Sequence, residues 1–107
     1  MATSKDFLNY LYERLGNSEY VRFRPMMGEY LVYYKDKLVG DVCDNRLFLK
    51  PVASVSAALP EAELLPPYEG ARPHIHVENI DDGEFLLSIF ENAFVELPDK
   101  KKKGVKK

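Results

Sequence analysis

The stretch from Arg22 to Lys50, RFRPMMGEYLVYYKDKLVGDVCDNRLFLK, constrains the fold more than any other part of the chain. Short apolar runs alternate here with turn-forming residues, a pattern typical of three or four strands in a meander. Asp44 and Asn45 separate two of the runs, and both residue types tolerate the positive φ that a two-residue hairpin turn requires. We therefore predict an antiparallel meander over this stretch.

The hairpin turns also predict which side chains share a face of the sheet. The Asp44-Asn45 turn places Gly40 opposite Leu49, and a second turn within Lys35-Asp36-Lys37 joins the preceding strand. Side chains alternate along a strand, so one face is predicted to be the apolar inner face. It carries Leu31, Tyr33, Leu38, Gly40, Val42, Leu47 and Leu49. The other face is predicted to carry Tyr30, Val32, Tyr34, Val39 and Phe48, with Asp41, Cys43, Arg46 and Lys50.

This outer face is more aromatic than an ordinary solvent-exposed surface. Tyr30, Val32, Tyr34, Val39 and Phe48 together predict an interaction face for a protein partner or for a second copy in a homodimer. Three alternatives stay open at this point. A helix or tail covers part of the face, the face carries scattered exposed apolar residues without a partner, or the Pro60–Pro73 excursion folds across it and leaves a monomer.

The flanking segments predict two long helices and one further strand. Apolar residues recur at helical spacing in residues 4–15 and 84–96, with Thr3 or Ser4 and Asp81 or Asp82 as caps. Residues 19–26 and 74–78 alternate like strands, whereas residues 52–59 suggest a short helix and Pro60–Pro73 a loop. The predicted fold is α+β and two-layered, an antiparallel β-sheet meander with the N- and C-terminal helices packed on one face.

Composition predicts one domain over residues 1–99 and a lysine-rich, disordered tail over residues 100–107. Residues 1–99 hold nine basic and seventeen acidic side chains, a formal charge of −8, so the domain surface is poorly suited to nucleic acid. Nucleic-acid binding is expected only through Lys100–Lys107. The single Cys43 excludes an internal disulfide and fits a cytoplasmic location, and no apolar run is long enough to span a bilayer.

Few residues are candidates for a chemical site. His74 and His76 share one face of a predicted strand and are weak candidates for binding a metal ion, since no third ligand is evident beyond Glu78 or Cys43. Cys43 has acidic neighbours in sequence, which is unfavourable for a nucleophile. Neither GxGxxG nor GxxxxGK[ST] occurs. We therefore expect no catalytic residues and no cofactor.

Four basic residues of the meander form a second candidate group. Arg22 and Arg24 point the same way from the first strand, and Arg46 and Lys50 follow in the last. They predict either a small basic patch within an acidic body or ion pairs with neighbours such as Glu29 and Asp41.

The meander resembles the N-terminal domain of the TfoX/Sxy family. A strand ending in R-x-M-[FM]-G, a tyrosine-bearing strand, a tight turn and a closing L-[YF]-L-K carry the resemblance. The matching positions are Arg24, Met26, Met27, Gly28, Tyr33, Leu47, Phe48, Leu49 and Lys50. The chain departs from the family at Glu29, where a second glycine is usual, and at Met27, where phenylalanine is common.

The resemblance implies a non-catalytic, cytosolic regulatory or protein-interaction module from a family of competence and DNA-transformation regulators. It is similar to the stand-alone form of that domain, because lysines stand where the regulators have a C-terminal helical domain. Two alternatives come from the residues themselves: a nucleic-acid-associated protein that acts through its basic tail, and a small metal-dependent enzyme that uses His74 and His76.

Overall fold

Six antiparallel strands form one sheet in the order β1-β2-β3-β4-β6-β5 in a computed structural model of the chain, which describes residues 3–98. The bounds of the nine elements follow chain order. They are α1 (Lys5–Arg14), β1 (Val21–Met26), β2 (Glu29–Tyr34), β3 (Lys37–Cys43), β4 (Arg46–Leu49), α2 (Ala53–Ala58), β5 (Leu64–Leu65), β6 (His74–Val77) and α3 (Gly83–Glu96). The predicted α+β class is confirmed.

Three two-residue turns connect β1 to β4, and each has left-handed backbone at both positions. The predicted turns at Lys35-Asp36 (φ 50° and 71°) and Asp44-Asn45 (φ 53° and 57°) are confirmed. Such turns match the right-handed twist of the strands they join. The third turn is Met27-Gly28, with φ 53° and 87°. Glu29 is therefore the first residue of β2.

A β-bulge in β3 reverses the predicted faces of β2. Tyr34 pairs with Lys37 and Tyr33 with Leu38, but Val32 then pairs with Gly40 instead of Val39. An extra residue on one strand shifts every later pair by one position, which exchanges the faces of the partner strand. Leu31 and Tyr33 consequently lie on the face opposite Gly40 and Val42, and Leu38 lies there with them. The predicted inner face is therefore wrong for the residues of β2 and for Leu38. The predicted β3–β4 register, with Gly40 opposite Leu49, is confirmed.

The helices cover one face of the sheet and form the second layer. The buried core combines residues of both layers: Leu8, Leu11, Leu15, Val21, Val32, Tyr34, Val39, Val42, Leu47, Leu49, Val55, Ile75, Val77, Leu86, Ile89, Phe90, Ala93 and Leu97. The Tyr34 ring meets the ring of Phe90 on α3 at a centroid distance of 5.7 Å. The inward orientation predicted for Ile75 and Val77 is confirmed, since they are 3% and 4% exposed.

Caps and boundaries agree with the sequence pattern in both long helices. The Ser4 side chain accepts a hydrogen bond from the Phe7 N–H at the start of α1, and Asp82 does the same for Phe85 at the start of α3. The excursion predicted as a loop contains the two-residue strand β5, which pairs with β6 at the edge of the sheet. The predicted lysine-rich tail lies outside the described residues.

The carboxylate of Glu29, at the start of β2, joins the segment before α1 to the β3–β4 turn. Oε1 of Glu29 accepts hydrogen bonds from the backbone N–H of Thr3 at 3.1 Å, from the Thr3 hydroxyl at 2.7 Å and from the Asp44 N–H at 3.1 Å. Thr3 is 6% exposed. Glu29 thus ties the segment before α1 to the β3–β4 turn.

Candidate functional site

The predicted interaction face is buried or turned toward the helices, so that prediction is wrong. Because of the bulge, Tyr30, Val32 and Tyr34 share the helix-facing side with Val42, and Val39 belongs to the core. Val32 is 0% exposed and Tyr34 is 6% exposed. Phe48 does lie on the other face, where it pairs with Asp41 and its ring meets the ring of His76, but it is only 2% exposed.

The face of β1 and β2 that points away from the helices carries arginine and leucine side chains instead. Arg22 pairs with Tyr33 and Arg24 with Leu31, so all four project from this side. Leu38 joins them through its pairing with Tyr33. The two arginines are exposed, and the two leucines are half-buried. We call Arg22, Arg24, Leu31, Tyr33 and Leu38 the outer patch.

The arginines of the outer patch hold no carboxylate within residues 3–98. The ion pair that this part of the chain contains joins Lys35 to Glu91. Glu29, a predicted partner, is bound by Thr3 and Asp44 instead. Within residues 3–98, Arg22 and Arg24 therefore do not form the predicted ion pairs. The predicted four-residue patch does not form either, because β2 and β3 separate the two arginines from Arg46 on β4 and from Lys50 after it.

The exposed charges of the long helices are mostly acidic, with Lys5 and Arg14 as the basic exceptions, whereas those on the outer face of β1 and β4 are basic. The exposed acidic residues of the long helices are Asp6, Glu13, Glu84, Glu91 and Glu96. The exposed charges on the outer face of β1 and β4 are Arg22, Arg24 and Arg46. Exposed arginines on one face of an acidic domain favour the approach of negatively charged groups to that face.

Among residues 3–98, β1 is also an edge strand of the sheet, with β2 on one side and no strand on the other. In a two-residue hairpin the residue pair that closes the turn is hydrogen-bonded, and hydrogen-bonded pairs then recur at every second position along the strands. The hydrogen-bonded pairs of β1 and β2 are therefore Met26–Glu29, Arg24–Leu31 and Arg22–Tyr33. The hydrogen bond from the Lys35 N–H to the Tyr20 carbonyl, at 2.8 Å, lies at the next position of this alternation. The backbone groups of Val21, Phe23 and Pro25 therefore point to the open side.

Part of this edge is protected and part is available. The Val21 N–H donates to the Ser18 carbonyl at 3.2 Å, and proline has no N–H. Within residues 3–98, no backbone hydrogen bond occupies the Phe23 N–H or the carbonyls of Val21, Phe23 and Pro25 along the edge. A cleft of about 330 Å³ lies at the same place, lined by Arg22, Phe23, Arg24, Pro25, Tyr33 and Asp36.

A second group of charged residues surrounds Asp41 at the other end of the outer face. Asp41 is 6% exposed, and burial raises the pKa of its carboxyl, while the nearby His74 and Lys50 side chains oppose that rise. His74 and Lys50 also line a cavity of about 430 Å³ together with Arg72 and Glu96. Glu96 is already engaged, because its Oε1 accepts from the N–H and the hydroxyl of Ser54 at 3.0 Å each.

His74 and His76 do not converge with a third ligand. His74 Nδ1 lies 2.8 Å from the carbonyl oxygen of Arg72, whereas His76 stacks on Phe48 and lines a separate cavity near Glu61 and Glu78. Among the described residues, no three His, Cys, Asp or Glu side chains are placed to hold a metal ion. The geometry gives the metal-dependent alternative no support.

Cys43 is a buried thiol in an acidic environment. It is 1% exposed, and burial, followed by the charges of Asp41, Glu29 and Asp44, raises its pKa to about 12. A nucleophilic cysteine needs a lowered pKa and access for its substrate, and Cys43 has neither.

The positions that carry the family resemblance have clear structural roles. Met26 and Gly28 belong to the β1–β2 hairpin, Leu47 and Leu49 are core residues of β4, and Lys50 follows β4 beside the cavity near Asp41. Arg24 and Tyr33 belong to the outer patch. The sequence pattern identified the arginines, but it assigned the wrong residues of β2 to the open face. Gly40, an isolated glycine inside β3 directly after Val39, is a signal that could have indicated the bulge.

No helix within residues 3–98 is both long and apolar enough to cross a membrane. Neither a family model nor a solved structure matches the chain. A protein of Spirochaeta aurantia, described as an uncharacterized 12.7 kDa protein in the trpE 5′ region, is 35% identical to it over 74 residues. The aligned residues make up 69% of this chain and 64% of that protein, so the match spans less than two thirds of the relative's length.

Proposed function

We propose that this chain is a non-catalytic, cytoplasmic regulatory module that binds a protein partner, of the TfoX N-terminal type. The observation that carries the proposal is the outer patch. Exposed Arg22 and Arg24 flank half-buried leucines there, on a strand face that the helices leave open. Arginine and tyrosine beside apolar side chains are the residues most often found at the energetic centre of protein interfaces.

The resemblance supports the proposal at the same place. Arg24 and Tyr33, two of the family-motif residues, lie within the outer patch, while the buried motif residues Leu47 and Leu49 hold the sheet together. A regulatory role in DNA transformation follows from the resemblance, and the outer patch gives that role a surface through which to act.

A gene deletion in the host tests the regulatory role. We expect the deletion to change transcript levels of DNA-uptake genes and the transformation frequency, and we expect the wild-type gene to restore both. A deletion strain that matches its parent in both measurements contradicts the proposal.

Complementation with two charge-reversal variants tests the surface. Arg24→Glu should fail to restore the deletion phenotype at an equal protein level, because it reverses a charge of the outer patch. Lys5→Glu is the matched control, since Lys5 is also exposed but lies on α1 in the other layer. Equal rescue by both variants contradicts a role for the outer patch.

A further inference from the structure

We infer that the free edge of β1 binds an extended acidic segment of a partner protein, which adds to the sheet as a seventh strand. The inference rests on the proposed function and names its partner class. Main-chain hydrogen bonds supply affinity when a peptide adds to a sheet edge, and alternate side chains supply specificity. Both requirements have specific counterparts along Val21–Met26.

The backbone of the edge has one donor and three acceptors at suitable positions. In an antiparallel peptide centred opposite Phe23, the central residue accepts a hydrogen bond from the Phe23 N–H and donates one to the Phe23 carbonyl. Two further N–H groups of the peptide donate to the carbonyls of Val21 and Pro25. Pro25 still contributes its carbonyl, so its missing N–H costs this peptide nothing. The hydrogen bonds cover five residues of the peptide.

The side chains beside this edge select for negative charge. Peptide residues opposite Arg22 and Arg24 lie on the outer face, two positions apart, where glutamate or aspartate faces an arginine that holds no carboxylate within residues 3–98. Opposite charges directly across two strands stabilise the pair. The residue opposite Phe23 lies on the other side, next to a half-buried ring that already meets the Tyr12 ring at 6.1 Å. The expected motif is therefore acidic–apolar–acidic.

A second copy of the chain fits this edge poorly. Antiparallel pairing of two β1 strands around Phe23 places Arg22 opposite the partner's Arg24 and repeats that contact by symmetry. Like charges directly opposite each other destabilise a strand pair. Edge strands often carry such charges to prevent self-pairing.

A nucleic acid also fits less well than an acidic peptide. Phosphates can contact the two arginines, but a sugar-phosphate backbone has no alternating N–H and C=O groups. It therefore leaves the backbone donor and acceptors of the β1 edge without hydrogen-bond partners. Residues 1–99 carry a formal charge of −8, which opposes a long polyanion more than a short acidic segment.

Titration of the full chain with two short peptides tests the inference. The acidic probe is acetyl-Gly-Thr-Glu-Val-Glu-Thr-Gly-amide, and its control replaces both glutamates with lysine. We expect the acidic peptide to bind, to slow hydrogen exchange of the Phe23 amide, and to weaken as salt is raised. The lysine peptide should bind at least about tenfold more weakly, since two charge pairs of modest strength supply that ratio.

A charge exchange separates specific pairing from general attraction. The Arg22→Glu/Arg24→Glu variant should lose the acidic peptide and gain the lysine peptide, with its circular dichroism unchanged. Equal binding of the acidic peptide to variant and wild type overturns the inference. It is also overturned if thymidine oligonucleotides displace the peptide at lower concentration, or if Phe23 protection rises with protein concentration alone.

The outcome is distinguishable from failure of the proposed function. If the peptide does not bind but the deletion strain shows its phenotype, only the edge-binding inference fails. If the deletion has no phenotype, the regulatory proposal fails whatever the peptide does.

Discussion

Gly83 lies against the carbonyl group of Arg14 so closely that a Cβ on Gly83 would stand 1.4 Å from the oxygen and 2.4 Å from the carbon. This contact joins the first residue of α3 to the last residue of α1. Both atoms of Arg14 belong to the backbone, so no side-chain rotation relieves the overlap.

Gly83→Ala is therefore expected to lower the free energy of unfolding by at least about 2 kcal/mol, since the two helices must separate to admit the methyl group. Urea denaturation measures the loss. Gly16→Ala is the control, because nothing lies within 4 Å of a Cβ there and only its φ of 72° opposes the change. A smaller loss for Gly83→Ala than for Gly16→Ala contradicts the close packing of α1 and α3.

The β1–β2 turn is predicted to carry avoidable backbone strain. Met27 has φ 53°, and its side chain is 96% exposed, so it contributes no packing that offsets the left-handed conformation. Met27→Asn creates the Asn-Gly pair that such turns favour and should raise stability by about 0.5–1 kcal/mol. Thermal unfolding of Met27→Asn and Met27→Ala gives the comparison. Equal stability of the two variants means that the backbone at residue 27 is not left-handed in solution.

The buried thiol of Cys43 should make the fold sensitive to alkali. Burial raises its pKa from 9.0 to about 12, so the folded state keeps a proton that the unfolded chain releases above pH 9. Stability from this group is complete below pH 9 and is lost as the pH rises toward 12. Tyr34, whose pKa burial raises from 10.0 to about 12, adds to the loss only above pH 10.

We therefore expect urea midpoints of the wild type to fall between pH 9 and 10, and those of Cys43→Ala to fall less over the same interval. The comparison uses the change of the urea midpoint with pH. A loss of stability that is the same at every pH, from the missing sulfur atom, therefore does not affect it. Identical slopes contradict a raised thiol pKa.

The carboxylate of Glu29 is expected to stabilise the chain start. Glu29→Gln replaces a charged acceptor of three hydrogen bonds with a neutral one, and should cost about 1–2 kcal/mol because bonds to ionised groups are the stronger kind. Glu19→Gln is the control, since Glu19 is exposed. Hydrogen exchange of the Thr3 and Asp44 amides should accelerate in Glu29→Gln alone. Unchanged hydrogen exchange at both amides would falsify the stabilising role of the Glu29 carboxylate.

Local chemistry made most of the fold predictable. The Asp44-Asn45 turn, the Ser4 and Asp82 caps and the helical spacing of the apolar residues each depend on neighbours in sequence, and the structure has them where the pattern placed them. The strand β5 was not predictable in this way. Two residues between prolines carry no periodicity, and Leu64 is in a strand only because β6 lies beside it.

The candidate site was predictable only in part, because it depends on the bulge. Arg22 and Arg24 alternate visibly with Val21 and Phe23, so their common face was evident from sequence. Which residues of β2 join them depends on the extra residue at Val39, whose side chain lies in the same core as that of Tyr34. A one-residue shift of this kind exchanges the buried and open faces of β2 without changing any turn residue.

The most direct test of the account compares lysine substitutions at two adjacent residues of β2, followed by urea denaturation. Val32 is 0% exposed and faces the helices, whereas half-buried Leu31 belongs to the outer patch. We predict that Val32→Lys costs at least about 3 kcal/mol, since it buries an unpaired charge, and that Leu31→Lys costs about 1 kcal/mol or less. The reverse order would mean that β2 pairs with β3 without the bulge. It would return Tyr30, Val32 and Tyr34 to the open face and contradict the assignment of the outer patch as the binding surface.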